Sequence, residues 1–331
     1  MTENPSQQGS TPKSDQSCVE NVPPEFLKYP PPDNCRILVL PDGRNLSYAE
    51  YGSKAANAST FIFIHGIPDT RLDACLLSSN EVLAQKLNIR WIGIDRPGIG
   101  FSTFQETRTV LGWVEDLKCL IKELKPETYW ILSVSGGTPY ALACALLLPQ
   151  SELKSVGIGF GVGPWEAGMA GLCLLNRIGL WIWKNHPWIF RWLFDKYVVP
   201  KVYQSSPVDT RKMIEQQNKY MTKEDREALQ DPELMQGLVN IEREIYRQGS
   251  SRGYIEDSKM ATRDWGFKLE DVQYPGIRLW YGDKDVNTPS QAGRYMAERL
   301  QHAVFKEYPG KSHFTMWDCL EDMLSDMLQD G

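Results

Sequence analysis

Short apolar runs alternate along the chain with segments whose apolar residues recur every three or four positions. Arg36–Leu40 stops at Pro41-Asp42-Gly43, and Leu46–Tyr51 returns beyond that turn, the pattern of a hairpin. Phe61–Ile64, Trp91–Ile94, Tyr129–Leu132, Val156–Phe160, Ile277–Tyr281 and Val304–Tyr308 are apolar runs of strand length. Between them Val82–Leu87, Val110–Leu124, Pro139–Leu147, Gln291–Leu300 and Trp317–Leu328 fit helices. In the second of these, Leu111, Val114, Leu117, Ile121 and Leu124 share one face. Strands that are apolar throughout and alternate with helices predict a mostly parallel, doubly wound sheet covered on both sides.

Two stretches depart from this alternation. From Trp165 to Tyr254 there is no strand pattern, and the first half carries Trp165, Trp181, Trp183, Trp188 and Trp192. Pro187 suits the first turn of a new helix there. The pattern divides the chain into a first core part over 26–162, a helical insertion over 163–254 and a second core part over 255–331. Residues 1–25 are polar and rich in Pro, Ser and Gln, which predicts a disordered tail with no apolar export signal. The most apolar region, Gly168–Phe194, is interrupted by Arg177, Lys184 and Arg191, so no segment offers the roughly 18 uninterrupted apolar residues of a membrane span.

Composition narrows the function classes. With 331 residues and 42% hydrophobic content the chain can bury a large core, and its net charge of −6 argues against nucleic acid as a partner. The seven cysteines form no CxxC pair, and Cys119, Cys144 and Cys173 sit in apolar runs, where core thiols are expected. Unpaired thiols imply a reducing, cytoplasmic setting. The sequence leaves a homo-oligomer open.

Candidate chemistry is concentrated in "YWILSVSGGTPYALACA", Tyr129–Ala145. A strand that turns sharply into a helix lifts its middle side chain off the sheet edge, and residues two positions away must then be small. Ser135 meets this condition, flanked by Ser133 and Gly137, whereas Ser133 has the bulky Ile131 on one side. An ordinary turn with a serine cap would also fit this stretch taken alone. The rest of the chain supplies what a serine nucleophile needs. A base and an orienting carboxylate follow such an elbow in the order Ser, Asp or Glu, His. Of the four histidines, only His313 lies after the last strand and before the final helix; His65 precedes the serine, His186 falls in the insertion, and His302 precedes the last strand. Asp283 and Asp285 both follow Ile277–Tyr281, and position alone does not choose between them. Backbone N–H groups for an oxyanion are expected from Gly136 and from Ile67, because Pro68 has no N–H to give.

With these residues in place the chain resembles the α/β-hydrolase superfamily, in particular its capped serine hydrolases of microbial and fungal origin. "HGIPDTR" is similar to the HGxP oxyanion loop, "IDRPGIGFS" to the DRPGxGxS segment, "SGGTPYALACA" to the elbow helix and "PGKSH" to the histidine loop. The likeness of "GDKDVNTP" to the family's acid loop implies that the acid is Asp285. Ser133 and Ser312 stand where the family usually has glycine. Relatives that share HGxP but cleave epoxides or carbon–halogen bonds carry aspartate at the elbow, so serine implies acyl transfer. The resemblance therefore implies an α/β-hydrolase fold with a helical cap inserted between sheet strands. It also implies a serine esterase or thioesterase without cofactor or metal, and a place in fungal secondary metabolism. The tryptophans of the insertion suggest a hydrophobic small-molecule substrate, with Trp165, Trp181 and Trp188 as candidate pocket residues. Triad-dependent carbon–carbon cleavage or condensation, and non-catalytic ligand binding, are the alternatives this fold allows.

Overall fold

The computed structural model describes residues 26, 34–172, 174–204, 206–217 and 221–329; the tail expected over 1–25 and the thiol of Cys173 lie outside them. Strands β1 (Cys35–Val39) and β2 (Asn45–Gly52) form the expected hairpin. They are followed by β3 (Ser59–Ile64), β4 (Ile89–Ile94), β5 (Tyr129–Val134), β6 (Leu153–Gly159), β7 (Ile277–Gly282) and β8 (Val304–Tyr308). The eight strands form one sheet in the order β1-β2-β4-β3-β5-β6-β7-β8. From β4 to β8 every neighbouring pair is parallel, and β2 joins both β1 and β4 antiparallel.

The central strands read as unbroken apolar runs because both of their faces are buried. Ile62, Ile64, Ile92, Ile94, Ile131, Ile158 and Leu279 point to one side, where they pack with α2 (Val110–Leu124) and α3 (Thr138–Leu147). Their alternates Phe61, Phe63, Trp91, Trp130, Leu132 and Trp280 face Leu320, Met323, Leu324 and Met327 of α12 (Leu320–Leu328), with α1 (Ser78–Lys86) beside them. Phe61 and Trp130 stack across neighbouring strands with ring centroids 5.3 Å apart. Thr109 caps α2 by accepting a hydrogen bond from Gly112 N–H at 2.9 Å.

Between β6 and β7 the described residues hold helices α4 (Leu174–Asn185), α5 (Pro187–Leu193), α6 (Val199–Gln204), α7 (Pro207–Gln217), α8 (Lys223–Ala228), α9 (Pro232–Ile245) and α10 (Arg252–Thr262), with no strand among them. The last helix of the chain's second part before α12 is α11 (Ser290–Ala297). The boundary expected at residue 254 falls inside α10. The chain does not break there because α10 docks on the core through Gly253, where a Cβ would meet the Gly98 carbonyl oxygen at 2.2 Å. The inserted helices share an apolar core of Val199, Val202, Ile214, Met235, Val239 and Ile245, into which Leu76 and Ile99 project from the sheet side.

Buried charges join the two layers. Arg71, fully buried in the short helix after β3, pairs with Asp95 at the end of β4 and, at 2.6 Å, with Glu244 of α9. Glu244 is also held by Arg247 at 2.6 Å. Asp257 of α10 receives Arg96 at 2.9 Å and Arg108 at 2.5 Å. A buried carboxylate stripped of its partner has no water to replace it. Arg71→Met should therefore lower stability by about 3–5 kcal/mol in a urea titration, and a loss below about 1 kcal/mol, the range of an exposed pair, would mean that the network does not hold the insertion to the core.

Candidate active site

Ser135 closes β5 at the carboxyl edge of the sheet with a backbone φ of 48°. L-residues avoid that left-handed conformation unless the surroundings enforce it. The enforcement is visible in the two residues that follow. A Cβ on Gly136 would lie 2.5 Å from the Ile67 side chain, and one on Gly137 would lie 2.6 Å from the Ile64 carbonyl oxygen. Only glycine lets the turn pass this close to β3 and its loop. Ser133 is fully buried within β5, its hydroxyl donating to the Gly157 carbonyl at 3.4 Å, while Ser135 is partly exposed.

His313 and Asp285 meet on the loops after β8 and β7. The Nδ1 of His313 lies 2.7 Å from Asp285 Oδ2, so Nδ1–H donates to the carboxylate and Nε2 is left to accept a proton. Asp285 is fixed in turn by the Asn287 and Thr288 N–H groups at 2.8 and 2.9 Å and by the Thr288 hydroxyl at 2.8 Å. Asp283 does something else: it accepts from Gly310 N–H at 2.6 Å and ties the two loops together. The segment after β6 touches both halves of the site. Phe160 presents its ring to His313 at 4.9 Å, and Val162 N–H donates to the Ser135 carbonyl at 3.0 Å. Burial alone would depress the imidazole pKa, but the Asp285 carboxylate outweighs it and holds His313 above 6.5; the same pairing holds Asp285 below its ordinary value against the pull of burial.

The loop that carries Ile67 is braced from beneath. Arg96 donates to the carbonyls of His65 and Gly66, each at 2.6 Å. His65 is fully buried, with Nδ1 2.9 Å from the Gly66 carbonyl, and burial together with the Arg96 charge pushes its pKa well down, so it remains neutral. Beside this loop lies a group of acids. A Cβ on Gly66 would stand 3.7 Å from both Ser135 Oγ and Asp69 Oδ2, so both side chains border the same glycine. Burial and the Asp73 charge hold Asp69 well above the carboxylate range, and burial raises Asp73 to about 7. Glu242 of α9 is pushed up to about 7 by burial and by the Asp69 charge.

The histidine loop is gripped from the insertion. Asp225 of α8 accepts from the Ser312 hydroxyl at 2.6 Å and from Phe314 N–H at 2.9 Å. Nothing in the sequence pattern singled out Asp225, Asp69, Glu242 or Phe160; the only signal was Ser312 standing in place of glycine. Trp181 and Trp188 are 51% and 66% exposed, and they do not share one helix because α4 ends at Asn185 and α5 begins at Pro187. Trp165 is half-buried beneath the Lys184 ammonium, 3.7 Å from its ring centre. A cleft of about 270 Å³ bounded by Leu76, Asn80, Asp231, Phe314 and Trp317 adjoins the histidine loop but includes none of Ser135, Asp285 or His313.

No protein-family model matches the chain, and no curated protein matches it. Solved structures do. A hydrolase from Pseudomonas aeruginosa is 16% identical with a TM-score of 0.63, over 89% of this chain and 98% of that one. An α/β-hydrolase enzyme from a deep-sea metagenome library is 19% identical with a TM-score of 0.56, over 89% and 96%. An enol-lactonase from Burkholderia xenovorans is 15% identical with a TM-score of 0.61, over 89% and 100%. These likenesses establish the α/β-hydrolase fold for this chain.

One pH effect follows from the site. His313 can accept a proton only while neutral, and its pKa is raised, so turnover should fall as pH drops, with the half-point above pH 6.5. Asp285→Asn should move that half-point to lower pH and reduce kcat by about 10⁴-fold; a limb unmoved by the substitution would detach Asp285 from His313.

Proposed function

We propose that the protein is a serine hydrolase acting on an ester or thioester of a hydrophobic small molecule. The observations that carry this reading are a strained, partly exposed Ser135 and the Asp285–His313 hydrogen bond, which lie on loops at the same edge of the sheet. Ser135 Oγ attacks the carbonyl carbon while His313 Nε2 takes the hydroxyl proton. The C–O or C–S bond of the resulting tetrahedral species breaks, and His313 returns the proton to the departing alcohol or thiol. Water then repeats the sequence on the acyl-enzyme: His313 takes its proton, the carboxylic acid leaves, and Ser135 recovers its hydrogen. During both steps the N–H groups of Ile67 and Gly136 are positioned to hold the oxyanion.

Support for this class also comes from the structural neighbours, which include a hydrolase and an enol-lactonase. The inserted helices act as a cap whose apolar core and buried acids close over the serine. Natural-product acyl compounds, larger and more apolar than acetyl esters, are the proposed substrates, and the unbridged thiols at Cys75, Cys119, Cys144 and Cys319 suit a cytoplasmic setting.

The test is kinetic, with p-nitrophenyl esters. Ser135→Ala should cost about a millionfold in kcat, while Ser133→Ala or Ser133→Gly, which alters only a buried spacer, should retain most turnover. The reverse order of effects in folded variants would overturn the assignment.

A further inference from the structure

We infer that the outer face of α4 and α5 docks on a lipid bilayer that carries anionic headgroups. The exposed apolar side chains supply the first part of the case. Leu174, Ile178 and Trp181 recur at four- and three-residue spacing along α4, and are 72%, 48% and 51% exposed. Trp188 and Trp192, four residues apart around α5, are 66% and 53% exposed, with Tyr197 at 47% just beyond. No residue of α5 is buried. So many large apolar side chains gathered on two consecutive helices exceed the scattered exposure usual for a protein surface.

Charge identifies the occupant. Residues 168–201 contain Arg177, Lys184, Arg191, Lys196 and Lys201 against a single acid, Asp195, in a chain whose net charge is −6. The basic groups lie along the indoles rather than apart from them. Lys196 Nζ stands 4.8 Å from the Trp192 ring centre and 5.1 Å from that of Tyr197. Indole and phenol rings favour the headgroup zone, where one edge is apolar and the other wet, and flanking lysines and arginines meet anionic headgroups there. A second copy of the chain fits poorly. A two-fold interface would press this basic face against itself. No helix among the described residues is long and apolar enough to cross a membrane, so the contact is at the surface. The inference does not rest on the proposed chemistry, although a bilayer would also concentrate apolar esters beside the cap.

The test uses the full chain and sedimentation with vesicles of phosphatidylcholine, with or without phosphatidylserine. The protein should pellet with the anionic vesicles and much less with the neutral ones, and raised salt should release it as the headgroup charge is screened. Arg191→Glu with Lys196→Glu should weaken binding tenfold or more, at about fivefold per charge near such a surface. Trp181→Ala with Trp188→Ala should weaken it by about tenfold or more. Both double variants change exposed residues, and unchanged far- and near-ultraviolet circular dichroism would show that they fold. The inference is overturned if the wild type ignores anionic vesicles, or if both double variants bind them as the wild type does. It is equally overturned if sedimentation velocity without lipid shows a dimer that both variants disrupt.

Discussion

The left-handed backbone at Ser135 is the constraint on which the rest of the site depends. A φ of 48° at a non-glycine residue is costly, and it persists only where packing leaves no alternative. Here the packing is that of β5 between β3 and β6, followed by two glycines pressed against Ile67 and the end of β3. The closeness that demands glycine at 136 sets this turn directly against the Ile67 side chain.

The inserted helices belong to the frame of this site and do more than cover it. Arg71 links the end of β4 to Glu244 of α9, Arg96 links the oxyanion loop to Asp257 of α10, and Asp225 of α8 holds the histidine loop. A cap attached only by apolar contact could slide, whereas one attached through buried, directional charge pairs has a fixed register. Its helices α4 and α5 carry exposed indoles and basic side chains instead. One insertion thus combines buried charge pairs that tie it to the core with an exposed amphipathic surface.

The layered sheet was legible in the sequence because burial on both faces leaves unbroken apolar runs, and Val304–Tyr308 and Ile277–Tyr281 fall within a residue of β8 and β7. The elbow was legible for a steric reason: small residues are compulsory there. Asp285 was not separable from Asp283 by position, because both stand on the loop after β7 and only tertiary structure shows which one turns toward His313. Asp225 and Ser312 are separated by 87 positions, and no local pattern signals a hydrogen bond between them. Which tryptophans face a pocket was not legible, because an amphipathic helix has the same periodicity whether its apolar stripe faces a pocket or lies outward.

The most direct measurement is a crystal structure of the full chain after reaction with a fluorophosphonate. The account predicts phosphorus bonded to Ser135 Oγ, with a phosphonyl oxygen accepting hydrogen bonds from the Ile67 and Gly136 N–H groups at about 2.7–3.1 Å, and His313 Nε2 facing the adduct. Phosphorus on Ser133 or on any other residue, or a phosphonyl oxygen turned away from both N–H groups, would contradict it.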